Sequence, residues 1–123
     1  MALSTYAGNK VVDLLTGKAA FSTPTVYVGL LADGGTELSG NGYARVETSA
    51  SDWNSADAKS TTNAATIEFP EASGTWTEAV SVATYDAATA GNQLGTGDLD
   101  TPTTIAEAEI ARFPIGDLTI TAT

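Results

Sequence analysis

From Pro24 onward the chain is built of short β-branched and aromatic runs, each stopped within a few residues by Gly, Pro, Asn or Asp. Strands fit between such breaks and long helices do not, so this pattern confines everything after the first segment to short extended pieces joined by turns. Nothing there has the sustained 3.6-residue period of a crossover helix, which disfavours an α/β fold. The clearest run, Thr25-Val26-Tyr27-Val28-Gly29-Leu30-Leu31, can be buried on both faces and is the expected central strand. Ala64 to Phe69 places Ala65, Ile67 and Phe69 on one face before Pro70 stops the ladder, and Ala79 to Tyr85 sets Val80 and Val82 against Ser81 and Ala83. Tyr43 to Thr48, Asn92 to Gly97, Ala108 to Phe113 and Asp117 to Ala122 add further extended runs. About seven strands at this spacing predict a mainly β fold, an antiparallel β-sandwich or partly closed barrel.

The connections are legible in the same way. Asp33-Gly34-Gly35 and Gly40-Asn41-Gly42 offer positions that accept positive φ, so the chain between them is expected as an exposed loop or wide hairpin. Ser49 to Asn63 is too polar to bury much and is expected as a long surface loop. Its one large residue, Trp53, either folds back as an anchor or projects toward a partner.

Ahead of the strands, Ser4 or Thr5 can cap a short helix in which Ala7, Val11, Leu14 and Leu15 share a face, with Gly17 ending it. That helix either covers an edge of the sheet or docks on a neighbouring subunit. The 123 residues suit a single domain, divided into an N-terminal helical docking segment, 1–22, and a β-sandwich body, 23–123. Lys10 and Lys18 against Asp13 leave the first segment at about +1, while the remainder carries about −11 of the net charge of −10.

That acidity makes a nucleic-acid partner unexpected, since phosphate neutralisation needs an excess of Lys and Arg. Cys and His are both absent, which excludes disulfides, thiolate chemistry, the commonest zinc ligands and imidazole general bases. No apolar run reaches the roughly 20 residues that span a bilayer, and Met1 to Gly8 lacks the pattern of a signal peptide, so the expectation is a soluble protein made in the cytoplasm, with no membrane partner.

Three constellations carry chemistry elsewhere and carry little here. Asp98 and Asp100 form a D-x-D that reads more simply as a solvated turn closed by Pro102 than as a cation site. Glu68 and Glu71 are the nearest carboxylate pair, and Glu68 falls on the polar side of its strand, so both read as surface charges and not as a glycosidase pair. Arg45 shares a strand face with Tyr43 and Glu47, and pairing with Glu47 is the local expectation. No catalytic residue, cofactor, metal or small-molecule substrate is expected.

The order of segments resembles a family of small tailed-bacteriophage virion proteins over nearly the whole chain. The resemblance rests on Leu15-Thr16-Gly17, Tyr27-Val28-Gly29-Leu30, and above all Gly35-Thr36-Glu37-Leu38-Ser39-Gly40 leading into Gly42-Tyr43-Ala44-Arg45-Val46. It continues through Ile67-Glu68-Phe69-Pro70, Trp76, the block from Tyr85 to Leu94, and Gly116-Asp117-Leu118-Thr119-Ile120. Two departures are Thr77, where relatives usually have Gly, and Tyr85, where they have Phe.

The resemblance implies a non-enzymatic structural protein of the virion, its relatives being labelled as head decoration or tail-fibre proteins. The first expectation is a capsid decoration, or cement, protein that binds the major capsid protein lattice on the outer capsid surface as trimers and stabilises the head by binding the assembled lattice more tightly than free subunits. The alternative is a tail-fibre or tail accessory protein. Leu3, Tyr6, Lys10, Leu14, Lys18 and Trp53 are the candidate docking residues. Deleting residues 1–18 is then expected to abolish docking and leave the β-domain folded.

Overall fold

The computed structural model describes residues 1–122. In chain order its elements are β1 (Ala2–Leu3), α1 (Thr5–Leu15), β2 (Tyr27–Leu31), β3 (Val46–Glu47), β4 (Ser60–Thr62), β5 (Ile67–Glu68), β6 (Ala79–Tyr85), β7 (Gln93–Thr103), β8 (Arg112–Phe113) and β9 (Thr119–Thr121). Seven of the strands form one curled, partly open sheet in the order β3-β2-β6-β7-β1-β9-β4, and β5 pairs with β8 in a separate two-stranded ribbon. This is the mainly β, partly closed barrel the turn spacing predicts.

The expected central strand is buried, from Val28 to Leu31, but it lies second from the edge of the sheet, between β6 and the two-residue edge strand β3, which pairs only with Tyr27 and Val28. Its even positions, Val28 and Leu30, join Val82 on the inner face, where Ile67, Phe69, Trp76 and Leu118 fill the core. The β5–β8 ribbon contributes Ile67 and Phe113 to that core, so it covers the inner face of the sheet. On the outer face Leu31, Ala83 and Tyr85 form a second, smaller cluster with Tyr27. The alternation expected for β6 therefore buries both of its faces.

Residues 1–3 depart most from expectation. Instead of belonging to a detachable docking segment, β1 lies inside the sheet, antiparallel to β7 through Ala2 and Thr96 and parallel to β9 through Ala2 and Thr121. The Met1 amino group donates to the Thr119 carbonyl, the Thr121 N–H donates to Met1 O at 2.9 Å, and the Ser4 N–H donates to Leu94 O at 2.8 Å. Glycines on β7 make the insertion possible. A Cβ on Gly95 would sit 2.7 Å from the backbone oxygen of Ala2, and one on Gly97 would sit 3.1 Å from Met1 Cγ. Deleting residues 1–18 would therefore remove the strand that joins β7 to β9.

Several boundaries also move. The stretch from Ser49 to Asn63, expected as loop throughout, contains a 3-10 turn at Ala50–Asp52 and the edge strand β4, which pairs with β9. Tyr43 to Thr48 shortens to β3, and the run from Asn92 lengthens to Thr103. Gly40, Asn41 and Gly42 all have positive φ, as the turn signal predicts. A buried polar hub, Asn63, fixes the closing segment: its amide donates to Ala65 O and Pro114 O at 2.9 Å, and its side-chain oxygen accepts from Leu118 N–H at 2.9 Å.

Candidate functional site

The residues considered for chemistry stand apart from one another. Glu68 meets Arg112 at 3.3 Å across the ribbon, with both side chains about half exposed, so it is a surface ion pair. Glu71 is exposed, Asp98 accepts from the Ser81 hydroxyl at 3.1 Å, and Asp100 lines a groove described below. Among the described residues no group of three or more acidic side chains is placed to hold a metal ion.

The most ordered cluster is polar and surrounds Arg45. The guanidinium donates from Nη2 to Glu37 Oε1 at 2.8 Å and from Nε to Glu37 Oε2 at 2.9 Å, a bidentate pair. Its Nη1 donates to the carbonyls of Ala87 and Ala90 at 2.8 and 2.9 Å, and its plane lies 3.5 Å from the centre of the Tyr85 ring. The Tyr43 hydroxyl donates to Glu37 Oε2 at 2.7 Å and accepts from the Leu30 N–H at 2.9 Å. Arg45 thus pairs with Glu37 and not with Glu47, whose carboxylate instead accepts from the Tyr27 hydroxyl at 3.3 Å. The reason is that β3 begins only at Val46, so Arg45 is not held to the strand alternation that would set it beside Glu47.

Gly29 makes the cluster possible, since a Cβ there would meet Tyr43 Oη at 2.8 Å, Glu37 Oε2 at 3.0 Å and Tyr85 Cε2 at 3.1 Å. The turn that offers its carbonyls to Arg45 is closed by Asp86, which accepts from the backbone and side chain of Asn92 at 2.7 and 3.0 Å. Burial opposes the Glu37 charge, but the bonds from Arg45 and Tyr43 outweigh it and hold the carboxyl below its ordinary pKa. Burial also pushes the Tyr43 hydroxyl well above its ordinary value. A carboxylate whose oxygens are occupied by a guanidinium and a phenol has no proton to donate and is engaged as an acceptor. The cluster is a fastening and not a reactive site.

The sequence-predicted docking residues do not form one surface. Leu3 lies in β1, and Trp53 turns back onto the body, donating from Nε1 to the Thr48 hydroxyl at 3.0 Å while its ring packs against the core. Tyr6 and Lys10 stack on the first half of α1, with the ammonium 5.6 Å from the ring centre. Ser4 caps that helix, accepting from Ala7 N–H at 3.1 Å, and also donates to Gln93 O at 2.6 Å, so α1 is anchored at its start. Its far end is not. Ala7 is the only buried residue of α1, and Leu14 and Leu15, expected on the covered face, stand out in solvent before Gly17 ends the helix with Lys18 beyond it.

Exposed large aliphatics occur in two places: Val12, Leu14 and Leu15 on α1, at 58, 49 and 79% exposure, and Ile110 and Ile115 beside the ribbon, at 39 and 67%. Val12 and Ile115 are apolar residues without a place in any strand or helix face that the pattern offers, and Ile110 falls in the expected run Ala108 to Phe113, of which only Arg112–Phe113 forms a strand.

Residues 2–121 match the family described as Podophage GP4 fiber I protein gp80. The chain belongs to this family. It is a structural protein of the bacteriophage virion, and the name given to its family favours the tail-fibre location over head decoration. No curated protein matches the sequence. Within this fibre family member, the blocks around Gly29, Glu37, Tyr43-Ala44-Arg45 and Tyr85-Asp86-Ala87 that carry the resemblance are those joined at Arg45. The departure at Tyr85 keeps the aromatic ring on which the guanidinium rests.

Proposed function

We propose that the chain is a non-enzymatic component of a podophage tail fibre, a rigid module that binds neighbouring virion subunits through its exposed apolar patches. The match of residues 2–121 to a family described by a fibre protein carries this reading. The geometry supports it: the polar groups of the Arg45 cluster are engaged internally, while large aliphatics stand exposed at the end of α1 and beside the β5–β8 ribbon. The acidic body, part of a chain at net charge −10, favours docking on a protein surface over docking on nucleic acid.

The test is location in the particle. Quantitative mass spectrometry of separated heads and tails, with immunogold labelling of intact virions, is expected to place the protein with the tail apparatus. Labelling confined to the head shell would return the reading to decoration of the major capsid protein, and absence from mature particles would reject both.

A further inference from the structure

The two apolar patches differ in shape and in charge. One is convex: the last turns of α1 present Val12, Leu14 and Leu15, followed by Lys18. The other borders a groove of about 400 Å³ between the far half of β7 and the ribbon, lined by Leu99, Ile110 and Phe113 with Asp100, Asp117 and Arg112 among them, Arg112 being paired with Glu68. The groove exists because two neighbours of β7 leave it. β1 accompanies β7 only through Gly95 and Thr96, and the ladder with β6 breaks between the Ser81–Asp98 and Ala79–Thr103 pairs.

These patches lie at opposite ends of one strand. α1 starts where Ser4 bonds Gln93 and Leu94, whereas the groove begins at Leu99; at about 3.3 Å per residue the groove extends to roughly 20 Å or more along β7 from the helix anchor. The charges are complementary too, since Lys18 follows the exposed end of α1 in a segment with a balance of about +1, and Asp100 and Asp117 lie in the strongly acidic remainder.

We propose that the groove of one copy receives the end of α1 from a second copy, with Leu14 and Leu15 entering between Ile110 and Phe113 and Lys18 facing Asp100 and Asp117. This rests on the reading of the chain as a subunit-binding module and names its first partner as itself. The contact is head-to-tail: each copy donates a helix end and offers a groove, so repetition closes a ring where the rotation allows and otherwise extends a filament. Apolar burial supplies the adhesion and the charge pair sets the orientation, so the contact weakens as salt screens it.

Sedimentation velocity of the full chain over a range of micromolar concentrations, alone and as two variants, tests this. Leu15→Glu spoils the helix end and Ile110→Glu spoils the groove; both sites are exposed, and far-UV circular dichroism checks that each variant stays folded, with Ile105→Glu in reserve for the groove. The wild type is expected to self-associate and each variant alone to lose affinity by about tenfold or more. An equimolar mixture of the two variants is expected to restore a one-to-one heterodimer, because one intact groove then meets one intact helix end. A wild type that stays monomeric at every concentration, a mixture without heterodimer, or sensitivity to Leu15→Glu alone, the mark of a helix-to-helix contact, would each overturn the proposal. A protein that is monomeric in solution yet fractionates with tails would overturn the self-contact and leave the fibre reading standing.

Discussion

The Arg45 cluster and the end of α1 are opposites in how they treat their neighbours. Around Arg45, four hydrogen bonds and an aromatic face engage one guanidinium, whose side chain is 7% exposed against 25% for its partner Glu37. At the end of α1, the largest side chains have water where packing partners would be, and Leu15 is 79% exposed. Most of the residues that make this sequence recognisable thus hold the body together, and within Leu15-Thr16-Gly17, a block of the same resemblance, burial alone sets Leu15 apart as a contact residue. A family resemblance built on such blocks reports the scaffold, and the contact surfaces have to be found from burial.

If that contrast is right, substitutions in the two regions should separate stability from assembly. Arg45→Met is expected to have the largest effect, a loss of about 3–5 kcal/mol in unfolding free energy by urea titration, because it leaves the Glu37 carboxylate part-buried without its cation. Gly95→Ala comes next, at roughly 1–3 kcal/mol, since the new methyl group meets the Ala2 carbonyl and forces β1 out of the sheet. Amide exchange should then rise at Leu3 and Thr121 before it rises in β6. A smaller loss for Gly95→Ala than for an exposed loop glycine would contradict the role given to β1.

Acidification should give a smaller effect with a defined sign. Glu37 binds its proton less tightly folded than unfolded, so its stabilising share is complete above the ordinary glutamate pKa of about 4.3 and is lost as pH falls through its lower folded value. The stability difference between wild type and Glu37→Gln should therefore narrow as pH is lowered from about 5 to 3. A difference that widened would assign the wrong sign to the environment of Glu37. Leu15→Glu, last, should change unfolding free energy by no more than about 0.5 kcal/mol, as befits an exposed position, and act on assembly alone.

Much of the architecture was legible because side-chain pattern and burial agree wherever a strand has large residues. Tyr27 to Leu31 and Ala79 to Tyr85 are such runs, and both sit where the pattern places them. β1 and β4 escaped because they carry too little to form a pattern. Ala2–Leu3 is two residues long, and Ser60–Thr62 is polar and lies at the edge of the sheet, where β4 pairs only with β9. The ion pair was misassigned for a related reason: local spacing favours Glu47, while the partner, Glu37, is brought in by a turn that closes when Ala32 N–H donates to Thr36 O. The end of α1 admits two readings in the sequence, cover for the sheet or docking with Leu14 and Lys18, since an apolar helix face looks the same whether the body covers it or leaves it for another molecule.

The position of β1 bears on how the molecule comes into being. Met1 and Thr119 bond across a separation of 118 positions, and the strand that follows Met1 fills a gap whose two walls are made of late sequence. During synthesis residues 2–3 therefore have nowhere to settle until β7 and β9 have emerged, and such remote pairing is slow because a long loop must close before any contact rewards it. Until then β7 and β9 present bare edges, the kind of surface that captures stray strands. Closing the sheet thus depends on its most remote pairing, and prompt filling of that slot would limit the time the two edges stand open.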